Sequence, residues 1–483
     1  MKQAFKKTAL AVACAGGMAA AMQAEAANWL MLQGTEPEAA AGRAYVWGFI
    51  QAQYQKDNSK GDDSGAENTY VPPMMMGPNL TSQQGFTVNR ARIGVRGTGM
   101  PIDPKVNYFL LAEFANNATT SANEGSTMIS DASITFNHIK GARVRTGLFK
   151  YPGAEEGYQA VQVMDYINFT EVSNQMLLER FPNAEFTDNN DSDPATAGYQ
   201  NPTLDQARRG DLNQFDKPVG AFRDVGIQVF DAFNIGGNGE LSYAVMVGNG
   251  NGLNFADNDD NLDKYAYLSY EMIYGGEGPK REGLKVFAWK QTGTRLLDNT
   301  DDSTHNPEEY DRRRSGFGAK YLKGNWRATA EVMKGEGMIG VGPDKPLFDQ
   351  NGVVSGSPAT CHGSGAAACS GADGSEGKAK GWYVEGGWYI PNSNWELDLR
   401  YDIFYRLADD PGPSIGPNVG KSFESVWKTK TFGVQYHFNK KTRYTFNYQA
   451  RDVESPDWAS DTGPNAVMDN IGNRWAMQVT HVF

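Results

Sequence analysis

The sequence predicts an all-β fold: a transmembrane up-and-down antiparallel β-barrel of about sixteen strands. Three observations predict it. The final stretch, Gly472 to Phe483, alternates apolar and polar residues. Candidate strands along the chain are joined by long and short connections in turn. The composition is polar yet aromatic-rich, with 12% aromatic residues, 55 glycines and a mean hydropathy of −0.54, and no segment beyond the N-terminal leader approaches the roughly 20 apolar residues of a membrane helix.

The final stretch carries the first observation. Trp475, Met477, Val479 and Phe483 share one parity, and Arg474, Ala476, Gln478 and Thr480 share the other. A period of two makes this a strand with one apolar and one polar face. A strand that closes a chain must pair on both sides or leave an open edge. A membrane barrel removes the edge and gives each face its own solvent. An ordinary sandwich strand is the alternative on this stretch alone.

At the other end, Met1 to Lys7 is basic, Thr8 to Ala21 is small and apolar, and Ala24-Glu-Ala26 fits an A-x-A cleavage site. Residues 1–26 therefore read as a secretory signal peptide. Cys14 raises a lipoprotein alternative, but Ala11-Val-Ala13 makes a poor lipobox, so Cys14 is expected to leave with the signal. Residues 27–42 form a short lead-in without clear period, and 43–483 the barrel. Of the remaining cysteines, Cys361 and Cys369 share a Gly/Ser/Ala-rich loop. An oxidising compartment favours a disulfide between them over a metal site, and no haem-attachment motif surrounds Cys361-His362. The net charge of −12 argues against a nucleic-acid partner.

Strands are expected near 43–55, 85–98, 104–115, 127–139, 141–150, 222–233, 238–249, 262–274, 283–294, 313–323, 325–336, 380–390, 394–407, 424–438, 441–453 and 472–483. The connections 56–84, 116–126, 151–221, 250–261, 295–312, 337–379, 408–423 and 454–471 are long. Those around Asp103, Lys140, Ile235-Gly-Gly237, Gly324, Pro391-Asn-Ser393 and Asn439-Lys440 are short. A sandwich has no reason to alternate this way, whereas a membrane barrel has short periplasmic turns and longer external loops.

Parity assigns the faces. Val106, Tyr108, Leu110, Ala112 and Phe114 oppose Asn107 and Glu113; Trp326, Ala328, Ala330 and Val332 oppose Arg327, Thr329 and Glu331. Trp395, Leu397, Leu399, Tyr401 and Ile403 oppose Glu396, Asp398, Arg400 and Asp402. Tyr444, Phe446 and Tyr448 oppose Arg443, Thr445, Asn447, Gln449 and Arg451. A charge facing lipid at mid-depth costs about 2–4 kcal/mol, so the charged parity should line a wet lumen.

The longest connection, 151–221, follows the fifth strand and is the expected constriction. Its first part, from Tyr151 to Phe181, mixes apolar and charged residues; its second part, from Asp188, is polar. A long loop in a barrel is more often functional than decorative. The first part is expected to fold into the lumen, with an extracellular cap as the alternative.

Here the chain resembles a known family. Arg143-Val-Arg-Thr-Gly-Leu-Phe-Lys-Tyr-Pro152, then Glu156 and Asn168-Phe-Thr-Glu171, look like the strand-and-loop signature of the phosphate-selective porin O and P superfamily. Val88-Asn-Arg-Ala-Arg-Ile-Gly-Val-Arg-Gly97 resembles its second strand, and Asp224 to Val229 with Tyr243 to Gly252 its sixth and seventh. The terminal Phe483 with its alternating apolar residues resembles the assembly signal of bacterial outer-membrane barrels. The resemblance implies a sixteen-stranded porin in the bacterial outer membrane, often a homotrimer, with its third external loop inside the channel and inward basic residues that pass anions.

Candidate pore-lining residues follow. Arg90, Arg92 and Arg96 oppose Ala91, Ile93 and Val95, and Arg143 and Arg145 oppose Val144 and Leu148. Lys150 has the other parity and lines the pore only if the strand end bends. Guanidinium groups in a narrow passage attract anions and grip phosphate in bidentate fashion. Arg443, Glu156 and Glu171 complete the set. Two features pull against phosphate selectivity. Loop carboxylates at Glu155, Glu156, Asp165, Glu171 and Glu179 can balance the arginines. Glu396, Asp398 and Asp402 make another arc acidic, and such a transverse field suits a general diffusion pore.

The expected function is a passive channel for small hydrophilic or ionic solutes, with an anion preference as a further expectation and no cofactor. Outer-membrane lipid and lipopolysaccharide are its surroundings. One alternative is an enzyme in a barrel scaffold, but His138, His305, His362, His437 and His481 sit in no triad motif and no G-x-S-x-G occurs. Another is a sheath for an electron-carrying partner, for which about sixteen strands is small. Acidic runs at Asp188–Asp193, Asp257–Asp260 and Asp298–Asp302 read as solvated loops, or as sites for divalent cations bridging lipopolysaccharide; their spacing is not that of an EF-hand.

Overall fold

Sixteen strands pair in a closed antiparallel ring, each with its neighbours in sequence, and the first pairs with the last. They are β1 (Tyr45–Asp57), β2 (Gln84–Gly99), β3 (Asp103–Glu113), β4 (Met128–Phe136), β5 (Arg143–Lys150), β6 (Arg223–Ile235), β7 (Gly239–Gly248) and β8 (Asp263–Gly275). Then come β9 (Glu282–Asn299), β10 (Asn306–Lys323), β11 (Trp326–Glu336), β12 (Lys378–Tyr389), β13 (Trp395–Arg406), β14 (Ser425–Asn439), β15 (Thr442–Glu454) and β16 (Arg474–Val482). The computed structural model describes residues 28–36, 44–59, 84–115, 117, 127–178, 221–253, 257, 259–276, 281–299, 306–337, 339, 347–348, 354–355, 377–409, 411, 419–422, 424–460, 465–469 and 471–483. The expected signal segment 1–26 with Cys14, the pair Cys361 and Cys369, loop residues 179–220, and the acidic runs except Asp257, Asp259, Asp260 and Asp298 lie outside the described residues.

Closure is made by the strand that the sequence singles out. β1 pairs with β16 from Phe49 opposite Val482 to Asp57 opposite Arg474. The backbone of Gly48 exchanges both hydrogen bonds with Phe483, at 3.3 and 2.9 Å. The edge that a terminal strand would expose is therefore paired along its length. No helix among the described residues is long and apolar enough to cross a membrane; crossing falls to the strands.

The two faces sort as the period of two requires. β11 alternates exposed and buried residues throughout, with Trp326, Ala328, Ala330 and Val332 outward and Arg327, Thr329 and Glu331 inward. Ile93, Leu110, Val245, Leu268, Val332 and Leu399 are among the large apolar side chains left exposed outside. In water such a surface would be a liability; in hydrocarbon it is the required one. Aromatic rings mark both rims of this band. Trp326 stacks on Trp388, and Trp395 meets Tyr436, at the short-turn end. Tyr54 packs with Phe86 and Trp475, and Trp382 with Tyr401, towards the long-loop end. Such girdles sit at membrane–water interfaces.

The strands depart from expectation in two places. The connection expected over 295–312 is mostly strand: β9 and β10 pair out to Asn299 opposite Asn306. Asp298, Asp311 and Arg313 hide this extension from an apolar period, as they would where a hairpin rises past the membrane into water. The second departure is in β5, where Gly147 adopts φ +116°. That backbone is open to glycine and strained for other residues, and the pairing register runs through it unshifted; the alternation lapses only at the strand end, at Lys150. Leu148, Phe149 and Lys150 are consecutively buried, Leu148 in a small cluster with Ala221 and Leu253 and Phe149 in the inward cluster.

Candidate functional site

The inward side chains form two walls of opposite charge. The first wall is β2 to β5, with Arg90, Arg92 and Arg145 buried on the inner face. Arg92 donates to Glu113 at 2.6 Å, and Arg90 to the side-chain amide oxygen of Gln51 at 2.8 Å. Lys150, the last residue of β5, turns inward despite its parity and donates to the carbonyls of Gly157 and Gln159 at 2.9 and 2.6 Å. Asp131 in β4 takes two hydrogen bonds from Arg223 of β6, at 3.1 and 3.0 Å. Arg96 and Arg145 lie nearer the short turns, where Arg96 pairs with Glu36 and Arg145 donates to Thr135 at 3.2 Å. Arg143 sits at the mouth, half-buried, donating to Asp231 and Asn137 at 3.1 and 3.0 Å.

The second wall is β11 to β13. It presents Glu331, Glu385, Glu396, Asp398 and Asp402 against Arg327, Arg400 and Arg406. β4 and β12 stand eight places apart in a ring of sixteen, so the two walls face each other. Arg327 serves three carboxylates: Asp165 at 2.9 Å, Glu396 at 2.7 Å, and Asp398. Glu331 is held by neutral donors, Trp289 at 2.6 Å and Tyr383 at 2.9 Å. His437 of β14 contacts Glu396 at 2.9 Å.

Residues 151–178, which follow β5, are almost all buried. They hold two short helices, α2 (Glu155–Tyr158) and α3 (Glu171–Met176), and a 3-10 turn at Val161–Val163. Thr170 caps α3, its hydroxyl accepting from Ser173 N–H at 3.3 Å. Glu156 staples the segment to itself, accepting from the Thr170 N–H and hydroxyl at 2.9 and 2.6 Å, and meets Arg400 at 3.4 Å.

This segment is tied to much of the barrel's circumference. Gln51 of β1 donates to the Val161 carbonyl at 3.3 Å. Lys285 of β9 and Lys320 of β10 reach Glu155 at 2.6 and 3.3 Å. Glu155 N–H donates to Glu331 of β11 at 3.2 Å, and Glu171 N–H to Asp402 of β13 at 3.1 Å. On β15, Arg443 donates to the Met164 carbonyl at 2.5 Å, Asn447 accepts from Ile167 N–H at 2.7 Å, and Gln449 accepts from Asn168 at 2.9 Å. Burial alone would push the Glu155 carboxyl up, but Lys285 and Lys320 outweigh it and hold the group below the usual carboxylate range. A small cavity lies between the segment and β12, lined by Glu156, Asp165, Tyr166, Tyr383 and Glu385 among others.

The sequence-expected residues are thus divided. Arg90, Arg92 and Lys150 gather on the first wall; Arg96 and Arg145 sit nearer the short turns, and Arg143 at the mouth. Glu156 and Glu171 lie in the buried segment against β13, and Arg443 on β15 holds the same segment at Met164. Sequence reasoning missed Lys285, Lys320, Gln51 and Arg223. The parity of β9 carried a signal for Lys285, but Phe287 and Trp289 share its inward face and disguise it. Among the described residues no group of three or more His, Cys, Asp or Glu side chains is arranged to hold a metal ion.

No protein-family model matches the chain, and no curated protein matches it. Solved structures do resemble it. OmpF of Salmonella typhi, in complex with daunomycin, is 13% identical over 91% of this chain and 97% of its own, with a TM-score of 0.49. An anion-selective porin from Comamonas acidovorans is 11% identical over 91% of this chain and 99% of its own, with a TM-score of 0.47. The outer-membrane channel DcaP of Acinetobacter baumannii is 13% identical over 94% of this chain and 100% of its own, with a TM-score of 0.44. At these values the likenesses add nothing to the strand pairing itself. A closed sixteen-stranded ring, apolar outside between two aromatic belts and charged inside, defines a multi-pass outer-membrane β-barrel.

Proposed function

We propose that the protein is a passive outer-membrane porin, a water-lined diffusion channel for small hydrophilic and ionic solutes. In this reading residues 151–178 are the third external loop, folded inward as the constriction. The observation that carries the reading is the pair of facing walls, arginine-rich on β2 to β5 and carboxylate-rich on β11 to β13, with a buried segment bonded between them. Selectivity then comes from width and charge rather than from chemistry. Homotrimer assembly and contact with lipopolysaccharide belong to the same reading through the family resemblance.

A phosphate- or oxyanion-selective channel is the narrower reading. It is less well supported, because Arg92 is engaged by Glu113, Arg143 by Asp231 and Arg96 by Glu36. Each such pair cancels much of the local field an anion would feel. A modest anion preference along the first wall remains compatible with the arrangement.

Single-channel recording in planar bilayers tests the proposal. Stable ohmic steps are expected. A purified, folded barrel that stays silent, or that carries a co-purifying haem protein or hydrolase activity, would overturn it in favour of the sheath or enzyme alternatives.

A further inference from the structure

Residues 28–36 do not trail away from the barrel; they occupy its interior at the short-turn end. They contain a single helical turn, α1 (Trp29–Leu32), capped by Asn28. The Asn28 side chain also donates to Glu240 and Ser242 of β7, at 2.8 Å each. Arg145 donates to the carbonyls of Leu30, at 3.4 Å, and Gln33. Arg96 pairs with Glu36 and donates to the Thr35 carbonyl at 2.8 Å. Glu36 N–H donates to Asn107 of β3 at 3.0 Å. The Gln33 amide donates to the Tyr158 carbonyl at 3.1 Å, joining this segment to the proposed constriction.

The wall under the segment carries apolar rings beside its charges. Here the inward parity carries aromatic rings: Phe49 on β1, Phe149 on β5 and Phe230 on β6 are at most 2% exposed and belong to one apolar cluster with Trp29 and Leu30. Trp47 packs against that cluster, with Phe109 of β3 at 5.9 Å from it. Apolar rings facing a water-filled passage would lose the burial that stabilises such side chains. This sector is built to be covered, and the chain itself supplies the cover.

We propose that residues 28–36 are a plug that closes the short-turn mouth of the channel and withdraws to open it. Arg96, Arg145 and the inward rings are its seat. Only residues 37–43 separate the plug from β1, so a withdrawn plug stays close and reseats readily. The seat is held by charge-assisted bonds to carbonyls and to two carboxylates, Glu36 of the plug and Glu240 of the wall, together with a small apolar contact, which is a reversible combination. This inference rests on the channel reading.

The test compares the wild type with a chain lacking residues 28–36, both recorded in planar bilayers after gel mobility shows a folded barrel. The deletion is expected to raise single-channel conductance severalfold and to remove long closed states. A second variant locks the plug. A Cβ built on Gly34 lies 3.4 Å from that of Phe109, near disulfide range; Gly34 has φ +66° and the Phe109 ring is lost, so the comparison is within the variant, and G34C with F109C should conduct less when oxidised than when reduced. A conducting wild type whose deletion conducts equally, with an oxidised double-cysteine form that matches the reduced one, overturns the plug and leaves the channel standing. Silence of both wild type and deletion overturns the channel and the plug with it.

Discussion

The two walls of the lumen obey one parity rule and reach opposite electrostatic ends. On β2 to β5 the arginines are answered close by: Arg92 by Glu113, and Arg96 and Arg145 by the plug's Glu36 and carbonyls. On β11 to β13 the carboxylates outnumber their cations, and Arg327 alone holds two of them, Glu396 and Asp398, together with Asp165 of the buried segment. The difference teaches that wall composition does not give the field a solute meets. What counts is how much of each wall is cancelled by the segments lying against it. The arginine wall looks anion-selective in sequence and is largely engaged in the fold. The acidic wall keeps the larger surplus.

Changing Arg327 should break this contrast most severely. Arg327→Ala leaves Asp165, Glu396 and Asp398 buried without their shared partner. Removing one side of a buried ionic network costs about 3–5 kcal/mol. The folded band on unboiled gels should therefore unfold at clearly lower temperature than wild type; an unchanged transition would show that this wall is not held by Arg327.

Arg400→Ala ranks next. It removes the contact to Glu156 and the bonds to the carbonyls of Asn168 and Phe169, at 3.0 and 3.3 Å. The buried segment should loosen, seen as noisier and larger single-channel steps with smaller loss of barrel stability. Equal noise in mutant and wild type would place the constriction elsewhere.

Arg92→Ala and Arg143→Ala sharpen the comparison. Arg92 is buried beside Glu113, so its loss should move the reversal potential further towards cations than the loss of half-exposed Arg143, whose charge is screened at the mouth. A larger effect from Arg143 would reverse the assignment of the narrow region.

The smallest effect expected is one of pH. Glu155 is held below its ordinary value of 4.5 by Lys285 and Lys320. A depressed carboxylate adds stability that is fully present above its unfolded value and lost as pH falls through the folded one. Tethering of the segment by Glu155 should thus be constant from neutral pH down to about 5 and fade only below the ordinary carboxylate range. Conductance noise that grows between pH 7 and 5 would mean another group controls the segment.

Much of the barrel was legible in the sequence because lipid and water impose period two on any crossing strand. Trp326 to Val332 and Trp395 to Arg400 each carry the pattern without a break. What was illegible lies where that constraint lapses. β9 and β10 beyond the membrane are charged on both faces and read as loop. Lys150 changes sides at the end of β5, which parity alone does not give. Residues 28–36 have no period, since they are held by the wall rather than by their own propensity. Of the candidate site, Arg90 and Arg92 were found at their inward positions, and Glu113, the partner of Arg92, shares that parity on β3. Gln51, directly across from Arg90 on β1, was missed because it carries no charge, and Arg223, the partner of Asp131, because it follows the longest connection.

The central claim is that facing, partly cancelled walls make a weakly selective channel. Reversal potential under a salt gradient measures it directly, for wild type, Arg92→Ala and Glu385→Gln. The account predicts a small potential in wild type, a shift towards cations in the first variant and towards anions in the second. A strongly selective wild type, or a potential that neither substitution moves, would contradict it.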